Sequence, residues 1–273
     1  MSRRPRADER STTPAVLIPP AALGAALLTF PALALVIRAP WSSLGAIYRE
    51  YRFWDALRIS IETSLEVVAL SLVLGVPLAW ILARRRFVGK SLVRAVVTLP
   101  LVLPPVVGGV ALFFALGRNG VVGRYFDEWF GYSLPFTQFG IVVAGVFVSM
   151  PYLVVTVEGA FRSADQGLEE AAATLGASRW RVFSHITVPL ITPSLVAGSV
   201  LCWARAIGEF GATSIFGGNQ PGSTLTMPVL VLRVFQVSGD PEAATALSLP
   251  LMAVAIVVLV ALRDKWLRSA PAS

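Results

Sequence analysis

The stretch that decides the fold reads Arg162-Ser-Ala-Asp-Gln-Gly-Leu-Glu-Glu-Ala-Ala-Ala-Thr-Leu-Gly-Ala-Ser-Arg-Trp-Arg-Val-Phe-Ser-His-Ile-Thr-Val-Pro189. It lies between two apolar runs, at about 139–161 and 190–207. It is too long for a tight connection and too polar for a membrane span. Ser163 or Asp165 is placed to cap a helix. Glu169 and Glu170 fall in or near its opening turns, where carboxylates suit the helix dipole. Leu168, Ala172 and Leu175 recur at helical spacing and give one apolar face. Gly176 follows at a natural C-cap position. Ser178 then caps a second helix carrying Trp180, Val182, Phe183 and Ile186, and Pro189 opens the next apolar run. The stretch predicts two short helices at a glycine turn, presenting small and apolar residues at the surface.

Outward from this loop the chain is apolar. Of its 273 residues 55% are hydrophobic and 14% charged, with mean hydropathy +0.71. Soluble domains carry about 25% charged residues. The composition excludes a disordered, collagen-like or disulfide-stapled chain. It points to one all-α integral membrane domain. Six runs are expected to span, at about 15–37, 59–83, 92–116, 139–161, 190–207 and 244–262. Several contain proline, including Pro31, Pro77, Pro104 with Pro105, Pro151, Pro193 and Pro250; packed neighbours can satisfy the carbonyls that such kinks free. The organisation is a basic tail over 1–14 and a six-helix domain over 15–273, with the loop at about 162–189. The arginine-rich start also suits a signal peptide, but the first run exceeds the roughly 7–15 residues of a signal core. An uncleaved first helix is expected.

A net charge of +7 would suggest nucleic acid in a soluble protein. Here the placement decides. Arg3, Arg4, Arg6 and Arg10, then Arg84, Arg85, Arg86, Lys90 and Arg94, then Arg162, Arg179 and Arg181, then Arg263, Lys265 and Arg268 all fall on one side. Arg38, Arg49, Arg52, Arg58, Arg118, Arg124 and Arg233 fall on the other. The positive-inside rule puts both termini in the cytoplasm, and an even number of spans, which puts both termini on one side, agrees. The four arginines of the first external loop oppose this assignment. No nucleic-acid partner is implied.

Glu170-Ala171-Ala172, three residues, Gly176, nine residues, then Ile186-Thr187-Val188-Pro189 resembles the EAA loop of ABC-importer permeases, written E-A-A-x3-G-x9-I-x-L-P. Val188 stands where leucine is usual. The resemblance implies a six-span type I importer bundle whose loop docks in a cleft of a cytoplasmic ATP-hydrolysing subunit. The residue types suit that role: Ala171 and Ala172 permit close approach, Gly176 permits positive φ, and Glu170 offers a carboxylate to a donor. A surface hairpin without a partner is the plain alternative.

A second resemblance is to molybdate permeases. It is carried by Leu99-Pro-Leu-Val-Leu-Pro-Pro-Val-Val-Gly-Gly109 with Gly117-Arg-Asn-Gly120, by Ala204-Arg-Ala-Ile-Gly-Glu-Phe-Gly-Ala-Thr213, and by Gly218-Asn-Gln-Pro-Gly222 with Thr224-Leu-Thr-Met-Pro228. Together with the loop it covers roughly 77–262. Sulfate and thiosulfate permeases share much of this, whereas Phe210, Ala212 and Thr213 lean toward molybdate. The group implies a membrane subunit importing molybdate by alternating access, working as a homodimer in a prokaryotic inner membrane. Two copies of an ATPase subunit would hold ATP and Mg, and an extracytoplasmic binding protein would deliver the oxyanion. Sulfate, thiosulfate or tungstate is the alternative cargo. A gradient-driven secondary transporter and a membrane enzyme or assembly factor are the alternatives of another class.

Other residues admit two readings. Gly89-Lys90-Ser91 imitates the end of a phosphate-binding loop, but the glycine required five residues earlier is Arg84. The chain is therefore expected to carry no nucleotide site or cofactor of its own and not to be an enzyme. Arg205 and Glu209 are one helical turn apart. They form either a structural ion pair or part of the anion pathway or gate. Pro104-Pro105 with Gly108-Gly109 either breaks the third span, exposing N–H groups to an oxyanion, or merely kinks it. Gly208 and Gly211 either thin a helix face or form a loop. Glu62 and Glu66 with Arg58 mark a polar interfacial end, and Glu158 lies near the cytoplasmic end of the fourth span. Cys202 is a small packed residue and His185 a loop residue, so no metal site is expected.

Overall fold

The computed structural model describes residues 15–268, and every element among them is helical. The basic tail 1–14 and residues 269–273 lie outside the described residues. After a single 3-10 turn the elements are α1 (Ile18–Ile37), α2 (Leu44–Glu50), α3 (Phe53–Arg84), α4 (Lys90–Val102), α5 (Pro105–Leu116) and α6 (Gly123–Phe130). There follow α7 (Gln138–Ser163), α8 (Gln166–Thr174), α9 (Arg179–Val182), α10 (Val188–Ile207), α11 (Met227–Arg233) and α12 (Pro241–Arg268). Five helical segments are long and apolar enough to cross a membrane: α1, α3, α7, the continuous helix Arg179–Ile207 and α12.

The third expected span is instead two half-helices in series. α4 has 13 residues and α5 has 12, each short of the ~20 a span requires. Pro104 has no N–H, and its ring would collide with the carbonyl four residues back. Leu103 turns extended (φ −69°, ψ 131°), and Pro105 restarts the helix in its favoured first position. The break reading thus holds over the kink.

The fifth span departs from expectation in the opposite sense. No boundary falls at Pro189: α9 runs through a π-helical turn, Phe183–Thr187, directly into α10. A regular helix would press the Pro189 ring against the His185 carbonyl. The widened turn, in which the Val188 N–H bonds to the Phe183 carbonyl, relieves that contact.

Packing centres on α7, which lies against α3 on one side and α10 on the other. A Cβ on Gly145 would stand 2.4 Å from Val67 Cγ2, so glycine sets how closely α7 crosses α3. Gly198 brings α10 equally close to Leu153 and Thr156 of α7. Val67, Leu82, Leu153, Val157 and Phe161 fill this core, and Phe53, Met227, Leu230 and Leu247 fill a second one between α3, α11 and α12. In hydrocarbon such cores gain little from the hydrophobic effect, so close packing over small residues holds the helices together. α1 buries no residue. Apart from half-buried Ala34 and Leu35, which lie toward α12, its apolar surface is left to lipid or to another chain.

Candidate functional site

The hairpin 165–187 is built by its caps. Asp165 Oδ1 accepts the Gly167 N–H at 2.8 Å and starts α8. Gly176 ends it with φ +84°: its N–H bonds to Ala173 O, and the Ala177 N–H reaches back to Ala172 O. That pair of bonds is a Schellman ending, which an L side chain at 176 would strain. Ser178 Oγ accepts the Arg181 N–H at 3.3 Å and opens α9. Of the two candidate first caps, Asp165 is the one used.

One face of the hairpin stays open. Leu175 is 88% exposed and Trp180 74%. Glu170 and Ala171 are exposed as well, and Ala172 and Ile186 are half-buried. Glu170 has no ion pair or hydrogen bond from its side chain among the described residues.

The opposite face is pinned. Arg84 Nη2, in the last turn of α3, donates to Glu169 Oε1 at 2.8 Å. Thr187 Oγ1 donates to the same oxygen at 3.0 Å. Phe183 packs edge-on against Trp80 of α3 and alongside Phe161 of α7. A charged and an aromatic contact therefore fix the hairpin to the bundle. Sequence reading placed Glu169 in an opening turn and missed its partner 85 positions earlier. Nearby, buried Glu158 pairs with Arg94 of α4 and with Arg162 at 3.2 Å.

Deeper in the bundle two chain breaks face each other. α10 ends at Ile207, and Gly208-Glu209-Phe210 leads into a helical turn over 211–217. Glu209 is buried. Its Oε1 accepts the Ala212 N–H at 2.7 Å, and its other oxygen pairs with Arg205. A Cβ on Gly211 would stand 2.7 Å from Pro105 Cβ and 3.0 Å from the Val106 nitrogen. A Cβ on Gly109 would meet Ala212 Cα at 2.9 Å. The break after Pro104 and the break after Gly208 therefore pack backbone to backbone. Val106 and Val107 open α5 with N–H groups that have no intrahelical acceptor. Of the residues singled out in sequence, Pro105 and the Glu209 loop meet here. Glu209 is at once an ion-pair partner and a helix cap.

Beside Glu209, a cavity of about 10 Å³ has Ser60, Thr63, Ser64, Thr213 and Thr226 among its lining residues, with Val67, Ile141 and Ile207. That is room for about one water. Ser60 Oγ also accepts the Met227 N–H at 2.8 Å and so caps α11 from across the bundle. Trp203 Nε1 donates to Ser64 Oγ at 3.0 Å. Sequence reading did not single these hydroxyls out, because nothing local marks a serine as the cap of a distant helix.

Glu209→Ala removes the cap and leaves Arg205 unpaired. A stability loss of about 2–4 kcal/mol is expected, read as a lower thermal midpoint of the purified protein. Glu209→Gln keeps an acceptor for Ala212 and should recover part of the loss. Equal midpoints for the two variants would remove the cap from this account.

Residues 75–268, which include the hairpin and both breaks, match the family model described as the binding-protein-dependent transport system inner membrane component. The chain belongs to this family. The molybdenum transport system permease protein ModB of Mycobacterium bovis is 44% identical over 241 residues, covering 88% of this chain and 90% of that one. A probable sulfate transport system permease protein of Chlorokybus atmophyticus is 34% identical over 242 residues, covering 85% of this chain and 82% of that one. Among solved structures, a bacterial ABC transporter involved in the import of the acidic polysaccharide alginate shares the fold. Its TM-score is 0.69 at 20% identity, over 94% of this chain and 95% of that one. Family membership and five apolar spans make the chain a multi-pass membrane permease component, not an enzyme.

Proposed function

We propose that this chain is the membrane-spanning subunit of an ATP-driven importer that carries molybdate inward by alternating access. One observation carries the reading: the chain is 44% identical to a molybdenum permease over nearly its whole length, against 34% for a sulfate permease. The working unit is a homodimer in a prokaryotic inner membrane, with both termini cytoplasmic, as the distribution of arginine and lysine favours. Two copies of a separate ATPase subunit bind ATP and Mg and hydrolyse the nucleotide; this chain binds no cofactor. A binding protein delivers the oxyanion outside.

The open hairpin face, with Glu170, Ala171, Ala172 and Gly176, docks on the ATPase subunit, and Ile186 and Pro189 carry the movement into the fifth span. Closure of the ATPase pair moves the hairpins and opens the pathway outward; hydrolysis restores the inward state. The facing breaks at Pro104-Pro105 and Arg205–Glu209 border the pathway or its gate. Uncommitted N–H groups and hydroxyls suit a doubly charged anion there, because fixed cations would hold it too tightly to release.

Uptake of labelled molybdate by proteoliposomes holding the full complex tests the reading. Unlabelled molybdate should compete, and a large excess of sulfate should not. Effective competition by sulfate alone would move the cargo to sulfate. Uptake without the ATPase subunit would make the protein a gradient-driven transporter. Glu170→Lys reverses the charge on the open face and is expected to abolish stimulation of ATP hydrolysis by loaded binding protein, with an unchanged thermal midpoint. Normal uptake in that variant would take Glu170 out of the coupling contact.

A further inference from the structure

A pocket of about 410 Å³ opens between the end of α3 and the pinned face of the hairpin. Three arginines line it: Arg84, Arg85 and Arg179, together with Trp80 and a single carboxylate, Glu169. Arg84 is engaged by Glu169, and its Nε and Nη1 are enclosed without acceptors. The Arg85 guanidinium lies over the Trp80 ring, 5.6 Å from its centroid. Neither Arg85 nor Arg179 forms an ion pair among the described residues. The pocket thus holds three cations against one anion, and its volume is in the range of small-molecule sites. Leu175 and Trp180, the most exposed apolar side chains of the hairpin, do not line it. The pocket and the open face are separate surfaces.

Charge, size and place together specify a ligand. Arginine prefers planar, forked contacts to carboxylate or phosphate oxygens. Tryptophan with arginine at the end of a long apolar helix is a membrane-interface pairing. Basic pockets between spanning helices take acidic head groups. We infer that this pocket binds a phosphate-type oxyanion through Arg85 and Arg179, carried on an acidic lipid headgroup or free in solution. Arg85 follows the end of α3 and Arg179 begins α9, so the bound oxyanion bridges the two elements that the Arg84–Glu169 pair already joins. Occupancy tightens the hairpin on the bundle.

The test uses the permease purified with its ATPase subunit. In nanodiscs of phosphatidylcholine with cardiolipin, native mass spectrometry counts retained acidic lipid. In nanodiscs of phosphatidylcholine alone, equilibrium dialysis measures binding of labelled inorganic phosphate. One or both ligands should bind, and Arg85→Gln/Arg179→Gln should weaken binding about tenfold or more, from the loss of charge-assisted hydrogen bonds. Arg86→Gln, a neighbouring arginine outside the pocket, should leave it unchanged. Arg179→Gln alone, at an exposed helix start, serves if the double variant fails to assemble. Lipid retention without phosphate binding names the headgroup as the source; phosphate binding alone names the free ion. The proposal is overturned if neither ligand binds, or if the pocket variants bind as the wild type does.

Discussion

Replacing Arg84 by alanine is expected to cut ATP-driven uptake about tenfold or more while the ATPase subunit still co-purifies. Arg84 and Glu169 meet at 2.8 Å with side chains only 11% and 23% exposed. Removing one partner of a fully buried pair costs about 3–5 kcal/mol, and the residual exposure here lowers that to about 1–3 kcal/mol. Each 1.4 kcal/mol is about tenfold in the fraction of molecules whose hairpin sits correctly. The open face is unchanged, so the docking proposed for it should survive; what is lost is the attachment of the hairpin to the bundle. Hydrogen exchange over 166–182 should rise in the variant. Glu169→Gln should be milder, since its amide oxygen can still accept from Arg84 and Thr187. Wild-type uptake by Arg84→Ala would remove the pair from the transport cycle.

The second large effect is expected at Gly211. Its Cβ position meets Pro105 Cβ at 2.7 Å and the Val106 nitrogen at 3.0 Å. Backbone cannot yield as a flexible side chain can, so Gly211→Ala must part the two facing breaks. Overpacking of this kind costs about 1–3 kcal/mol, and Gly211→Val should cost more and lower the folded yield. Gly208, three residues earlier, is the internal control. Its added Cβ would lie 3.5 Å from the Ala204 carbonyl, an ordinary contact, so Gly208→Ala should stay within about 0.5 kcal/mol. Thermal midpoints of the variants in one detergent decide the matter. Equal midpoints would mean the breaks are loosely apposed.

Five of the six expected spans were legible because length and apolarity alone mark them; Pro104 marks the third for disruption, since proline has no N–H, without deciding between a break and a kink. The caps at Gly176 and Ser178 were legible for a similarly local reason, and Asp165 was one of two candidates for the first cap. What sequence left out depends on chain segments far apart. Nothing in the run Arg84-Arg85-Arg86 says which arginine turns toward the hairpin. Ser60 does not reveal that it caps α11, and Gly211 does not reveal that it rests on Pro105. The continuity of α9 with α10 was missed because proline reads as a boundary. A single widened turn removes the clash that would have made it one.

That continuity makes the segment Arg179–Ile207 a single rod of 29 residues, about 43 Å long. A rod converts angle into distance: a tilt of about 5° imposed near Trp180 displaces the Ile207 end by roughly 4 Å at that length. The far end carries Glu209 and, two residues beyond it, the glycine seated on Pro105. Gly211 has no spare room against Pro105, so any movement that reaches it through the Gly208–Phe210 link must shift the seam between the two breaks. The π-helical turn is then the natural flexure of the lever, and stiffening or loosening it would reset its mechanical gain.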